Sequence, residues 1–350
     1  MPTSPDPIFD LGQFTLAIGP LLIDRLGGDG TIQLIGTRSG TVNRVVTFTY
    51  GGRRLGARLA LDRRHFRYER DIIKEVFAIS LLSHAGESID DNRAGQIVAA
   101  LLAKPQGSQL GHDLVRSILY YDWSMRLFPF PFFIFEWIPG TVLWENPTAP
   151  RYHAAGSLLA DLHRVRFEHF YEDIFSIHHV PRSWRDHLRV CLNRELARAE
   201  LFLPGPLVAR LHRLDMSTLS PGVPCLVHND FSGANIVFDE QDHPHVIDWD
   251  NWVVDCPELD LVKMKYWTAI GGEGHLVTNA PLYDAFLAGY RAQADHQIDE
   301  TRLCAYEHLW LLRCFNFENA RLADDEAPAP DSWRPVYPGA EFYVDRLDRF

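Results

Sequence analysis

The chain changes its rhythm at Ile138-Pro139-Gly140. Before that point, short segments rich in Val, Thr and aromatic residues are separated by glycine turns. After it, apolar residues recur mostly at helical spacing. Proline followed by glycine ends a strand and does not extend a helix. The switch predicts an α+β chain in two parts: residues 1–135 carry an antiparallel sheet and a leading helix, and residues 136–350 are mainly helical. With 350 residues there is enough chain for two cores.

The first part reads as a helix over 9–27, a strand at Thr31–Ile35 and a flexible loop at Gly36–Asn43. Strands follow at Arg44–Tyr50 and Arg53–Leu61, joined by the hairpin turn Gly51-Gly52. Ile72, Val76, Ile79 and Leu82 are spaced as one face of a helix over 66–83. A second helix is predicted over 92–103, then strands at Arg116–Trp123 and Pro131–Trp137. In the second part helices are predicted over 151–166, 183–201, 205–215, 257–271, 281–295 and 300–322. Cys225–Val227, Ile236–Phe238 and His245–Ile247 read as three short strands. The tail, with Pro328, Pro330, Pro335 and Pro338, reads as loop.

Charge and cysteine content exclude several classes. The formal charge is −12, which disfavours nucleic-acid binding, because that needs cations to displace counterions. It is compatible with a cationic group on a substrate. No run of about 18 apolar residues is present, so no membrane span is expected. The first residues lack a basic segment followed by an apolar one, so no signal peptide is expected. The five cysteines include no CxxC pair, which argues against a zinc ribbon or disulfide framework and fits a cytoplasmic setting.

The chemistry lies in Val227-His-Asn-Asp-Phe-Ser-Gly-Ala-Asn-Ile-Val-Phe238, followed by Val246-Ile-Asp-Trp-Asp250. A loop between short strands can aim Asp230 and Asn235 in one direction, and the end of the next strand delivers Asp248. An Asp, an Asn and a second Asp are hard oxygen donors of the kind Mg²⁺ takes, with water and phosphate completing its shell. A carboxylate turned from the metal can hold a hydroxyl for in-line attack.

These residues resemble the aminoglycoside phosphotransferase/choline kinase-like family, whose members show His-Gly-Asp, a downstream Asn, and Ile-Asp-Trp. Three further segments extend the resemblance: Ala155-Gly-Ser-Leu-Leu-Ala-Asp-Leu-His163, Phe133-Ile-Phe-Glu-Trp-Ile-Pro-Gly140, and the helix that bears Glu75 and closes at Gly86. The sequence departs from the pattern at Asn229, where Gly is usual, and at Phe231-Ser232, where Leu followed by a polar or aromatic residue is more common; the usual small-lobe Lys or Arg is Arg58 here.

The resemblance implies a two-lobed protein-kinase-like fold and transfer of the γ-phosphate of ATP or GTP to a small-molecule hydroxyl. It implies that Asp230 is the catalytic base, that Asn235 and Asp248 bind Mg²⁺, and that Asp250 assists a second metal. Arg58 would contact the nucleotide phosphates, with Glu75 holding it. Gly36, Ser39 and Gly40 would cover the phosphates, and backbone near Phe135 and Trp137 would meet adenine. The acceptors it suggests are an aminoglycoside or other antibiotic, an amino sugar, a nucleoside, or an amino alcohol. A resistance role is one reading; a pseudokinase acting as sensor or scaffold is the rival from another class. The sequence leaves oligomeric state open.

Simpler readings stand beside these. Arg53, Arg54 and Arg63 compete with Arg58, and Glu69 competes with Glu75. His228 reads as a brace for the loop. His178, His179, His243 and His245 fit no zinc spacing. Trp249, Trp252, Trp267 and Trp310 read as core. Glu318, Asp324, Asp325 and Glu326 form either an acidic rim or a solvated helix end.

Overall fold

The computed structural model describes residues 10–39, 43–61, 68–83, 118–122, 124–167, 169–170, 183–214, 219–220, 222–323 and 336–349. The chain is α+β and divides into two compact units. The first holds the described residues up to Gly140 together with Val237–Trp252; the second holds Thr141–Ile236 and the residues from Val253 onward.

The first unit is built on an antiparallel sheet of β1 (Ile32–Ser39), β2 (Asn43–Tyr50), β3 (Arg53–Ala60), β4 (Ile118–Asp122) and β5 (Phe132–Glu136), in the order β1-β2-β3-β5-β4. Side chains alternate across it with period two. Leu55, Ala57, Leu59, Phe132 and Ile134 face helix α1 (Leu11–Leu26), which buries Phe14, Ile18 and Leu22 against them. Ala60, Phe133 and Phe135 face the other way, toward Ile72 and Val76 of α2 (Tyr68–Ser83). Asp10 caps α1 by accepting from the Gly12 and Gln13 amides at 2.8 and 3.0 Å. Gly51 and Gly52 both have positive φ, as the two-residue hairpin turn requires.

The second unit contains helices α3 (Ala149–Leu162), α4 (Trp184–Ala199), α5 (Gly205–Leu211), α6 (Glu258–Tyr266), α7 (Ala280–Gln293), α8 (Glu300–Ala323) and α9 (Ala340–Asp348). Short strand β6 (Gly140–Val142) leads into it. Strands β7 (Cys225–Val227) and β10 (Val253–Asp255) pair antiparallel, and β11 (Ala269–Ile270) pairs with β12 (Leu276–Val277). Strands β8 (Ile236–Asp239) and β9 (Pro244–Val246) belong to the first unit except for Ile236.

Helices α3 and α7 cross backbone to backbone. A Cβ on Gly156 would sit 2.0 Å from the Phe286 carbonyl oxygen, and one on Gly289 would sit 1.9 Å from that of His153. Exposed helical glycine normally gains stability on replacement by alanine. Here the sign reverses: Gly289→Ala should lower stability by about 1–3 kcal/mol, the usual cost of overpacking. A lowered midpoint in chemical unfolding checks it; a raised midpoint would mean the helices are not in contact there.

Several expectations change. The loop expected at Gly36–Asn43 is largely strand. β1 continues to Ser39 because an irregularity in its register between Leu34 and Gly36 absorbs the glycine without ending the pairing. The helix expected to run to 271 stops at Tyr266, where Thr268 N–H turns to the Val277 carbonyl at 3.1 Å and opens the β11–β12 hairpin. The tail forms α9, which buries Tyr343 and Leu347 at i, i+4 spacing. Glu318 is neither rim nor solvated end, since it is 1% exposed. The helix expected over 92–103 and Asp324–Glu326 lie outside the described residues, as do His178, His179 and Arg63. The four tryptophans are buried, as core residues should be. Among the described residues, no helix is long and apolar enough to cross a membrane.

Candidate active site

In the first unit, strand alternation turns Arg58 away from the α1 face and toward α2. Its guanidinium meets Glu75, which is fully buried on α2. Nη1 also donates to Asp248 Oδ1 at 2.5 Å, and Nη2 to Asp250 Oδ2 at 2.8 Å. With its amide oxygen facing the guanidinium, Asn43 of β2 accepts from Nη2 at 2.6 Å and Nε at 3.1 Å.

Tryptophans bring the two aspartates there. Asp248 follows β9 in a left-handed conformation, φ 66°, which Asp tolerates better than most residues. A single helical turn, Trp249–Asn251, then packs on α2. Trp249 and Trp252 are buried, and Trp252 Nε1 donates to the Lys74 carbonyl at 2.7 Å. Asp250 Oδ1 accepts from Asn251 Nδ2 at 2.8 Å.

Three carboxylates thus face one guanidinium. Burial opposes the Arg58 charge, but Asp248, Glu75 and Asp250 outweigh it and hold the group firmly protonated. Burial, with Asp248 beside it, pushes the Asp250 carboxyl well up, and Arg58 works against that shift. The excess of negative charge favours a further cation.

In the second unit, the loop after β7 is held from α6. Asp260 Oδ2 accepts from the His228 amide and Oδ1 from the Asn229 amide, each at 2.7 Å. Asp260 also meets His163 Nε2 at 3.3 Å, and His163 Nδ1 meets the Tyr290 hydroxyl at 2.8 Å. Burial lowers the His163 pKa against the pull of Asp260, so this ring favours its neutral form. Asn229 has φ 61°. That explains why glycine is usual here and why Asn substitutes for it, since Asn enters the left-handed region more readily than bulkier residues.

The Asp230 amide donates to His228 Nδ1 at 3.2 Å, so His228 braces the loop. Asn235 Nδ2 donates to the Asp230 carbonyl at 2.9 Å and to Asp230 Oδ2 at 3.0 Å. The other carboxylate oxygen, Oδ1, is paired with Lys263 of α6. Phe231 is buried against Phe286, with ring centroids 6.1 Å apart. Gly233 lies flat against Trp144, where a Cβ would come 2.1 Å from the indole.

The remaining sequence candidates are placed as follows. Gly36 sits inside β1 opposite Thr47, and Ser39 is paired in register with Arg44; Gly40 lies outside the described residues. Phe135 is buried against Gly56, and the Trp137 amide donates to the Arg54 carbonyl at 3.0 Å. Arg53 pairs with Glu136, and Arg54 lies 5.1 Å over the Trp137 ring. These contacts separate both arginines from the role they compete for with Arg58.

Asn43, Asp260 and Lys263 were missed as functional candidates. A signal existed for two of them. Asp260 and Lys263 are three residues apart on a helix whose other inward positions are mostly apolar, so they share a face. Asn43 carried no signal beyond its place at a strand start.

Each unit, taken by itself, presents an oxygen donor of the kind Mg²⁺ takes. Asn235 turns its amide nitrogen to Asp230, which leaves the oxygen as the hard donor, and the Asp248 side chain is 38% exposed. Among the described residues no group of three or more His, Cys, Asp or Glu forms a metal cage. A cation that keeps much of its shell in water and phosphate needs none.

Comparison with known proteins follows the same direction. A family model described as "Phosphotransferase enzyme family" matches residues 34–305. A search of curated proteins finds no match. Among solved structures, a spectinomycin phosphotransferase in complex with ADP and spectinomycin is 14% identical, with 96% of this chain and 98% of that chain covered and a TM-score of 0.56. A thermostable aminoglycoside phosphotransferase in a ternary complex with ADP and hygromycin B is 14% identical, with coverage of 95% and 97% and a TM-score of 0.56. The streptomycin–ATP complex of the phosphotransferase APH(2″)-IIa is 13% identical, with coverage of 98% and 97% and a TM-score of 0.52. Identities this low speak to the fold.

Proposed function

The chain belongs to the phosphotransferase enzyme family, and from that premise we propose that it moves the γ-phosphate of ATP to a hydroxyl of a small molecule, with Asp230 as the base. The observation that carries the reading is the set of bonds on Asp230: its carboxylate is held at Oδ2 by Asn235 and at Oδ1 by Lys263, in a loop pinned by Asp260. A carboxylate fixed in this way can orient an acceptor hydroxyl and take its proton as the oxygen attacks phosphorus and ADP leaves.

Asn235 and Asp248 are assigned to Mg²⁺, and Asp250 to a supporting role in holding cations. When bound, the metal neutralises charge on the phosphates. Arg58 serves the phosphates and is kept oriented by Glu75. Gly36, Ser39 and Gly40 are assigned to the phosphate cover, and the backbone near Phe135 and Trp137 to adenine. ATP is preferred over GTP because the structural neighbours were solved with ADP or ATP. The same neighbours hold hydroxyl-bearing antibiotics, so an antibiotic, amino sugar, nucleoside or amino alcohol is the acceptor class to screen.

The test is unfolding with ATP or GTP, with and without Mg²⁺, on wild type and Asp248→Ala. A nucleotide at about 100 times its Kd should stabilise the wild type by about 2.7 kcal/mol. The metal-dependent share of that shift should vanish in Asp248→Ala. A shift indifferent to Mg²⁺ would favour a nucleotide-binding pseudokinase, and no shift with either nucleotide would overturn the reading.

A further inference from the structure

Helix α6 grips the catalytic loop twice. Asp260 takes the backbone of His228 and Asn229, and Lys263, one turn on and on the same face, takes the side chain of Asp230. Between Asp230 and Asn235 the loop itself is Phe-Ser-Gly-Ala and carries no cation. The cation at Asp230 is therefore delivered from another element of the same unit.

We propose that Lys263 is a positioning residue for phosphoryl transfer: its ammonium and the Asn235 amide hold the two oxygens of the Asp230 carboxylate in one orientation toward the acceptor. The inference rests on the reading of Asp230 as the base.

Three observations carry it. First, Lys263 and Asn235 engage different oxygens of one carboxylate, so rotation of the side chain about its last bond is blocked from both sides. Second, the ammonium is itself fixed, lying 4.9 Å over the Trp267 ring one turn further along the chain. Third, the pair is mostly withdrawn from water, with side-chain exposures of 15% for Lys263 and 28% for Asp230. Opposite charges attract more strongly there than at an open surface, and a withdrawn ammonium without a carboxylate would be costly. Burial pulls the Lys263 ammonium down to about 8, with Cys314 working against that shift. The other titratable ring at the loop is His228, whose Nδ1 accepts from the Asp230 backbone and leaves the carboxylate to Lys263.

The test follows the pair itself as well as activity. In urea unfolding of the full-length protein, Lys263→Met and Asp230→Asn should each lower the midpoint, and the double variant should lose less than the sum of the two, because the charges are partners. Lys263→Arg should restore most of the stability and activity. In MgATP turnover, with water or an identified hydroxyl as acceptor, Lys263→Met should lose about tenfold or more in kcat with KM for ATP nearly unchanged. Lys263→Gln serves if the methionine variant fails to fold.

Strict additivity of Asp230→Asn with Lys263→Met or Lys263→Gln in unfolding would overturn the proposal. So would full activity in either variant. Absence of MgATP turnover and of MgATP binding in the wild type would instead count against the phosphotransfer reading, while the unfolding cycle would still decide whether Lys263 holds Asp230.

Discussion

Asp230→Asn should reduce phosphoryl transfer by about 10²–10⁴-fold, the range a positioned general base contributes. The substitution keeps shape and removes the proton acceptor. It also leaves the Lys263 ammonium without its carboxylate, so a modest loss of stability should accompany the kinetic one. The two effects separate in measurement. In the proposed assignment the nucleotide is held chiefly by the Arg58 cluster and Asp248, which the substitution does not touch, so MgATP should still raise the unfolding midpoint. A variant that binds MgATP as the wild type does and transfers no phosphate places the defect at the chemical step. A variant as active as the wild type would remove Asp230 from the mechanism.

Arg58→Met should destabilise the protein by about 3–5 kcal/mol, the cost of removing one partner from a buried ionic group. Glu75 is fully buried and loses the Arg58 guanidinium there, while Asp248 and Asp250 lose it with partial access to water. The deficit should depend on pH with a definite sign. Without Arg58 the three carboxyls sit close together and shielded from water, so their folded-state pKa values lie above the unfolded ones. Their ionisation then works against folding at neutral pH. The penalty falls as pH drops through the raised folded values and is gone below the unfolded ones. Asp250 already tends this way in the wild type, because burial and Asp248 push its carboxyl up. Urea unfolding of both proteins at neutral and mildly acidic pH checks this: the gap between them should narrow in acid. Arg58→Lys should recover only part of the loss, because one ammonium cannot reproduce the fork that reaches Glu75, Asp248 and Asp250 together.

Much of this was legible in the sequence because it depends on neighbours along the chain. Period-two alternation located the strands of the first unit, and period 3.6 located α2, α3 and α7. The glycine pair at 51–52 announced its turn through the backbone freedom such turns demand. Asp230, Asn235 and Asp248 stood out as candidates because three oxygen-bearing side chains fall within one short stretch of loops and strand ends. Where local reading failed, competing local signals explain it. Gly36 was taken to end a strand, yet pairing with Thr47 carried β1 past it. The prolines of the tail hid α9, whose case rests on burial of Tyr343 and Leu347 against residues far away in sequence.

Sequence alone located most strands and helices through their periodicity, and its motifs carried the family resemblance that implies the fold class and phosphoryl transfer. Tertiary structure decided which charges meet. Arg58 lies 190 residues before Asp248, and packing of Trp249 and Trp252 on α2 brings them together. The same holds for Asp260 and Lys263, ordinary charges on a helix until α6 docks beside the loop that bears Asp230. An ion pair is set by distance and burial, and neither quantity exists until distant segments have packed.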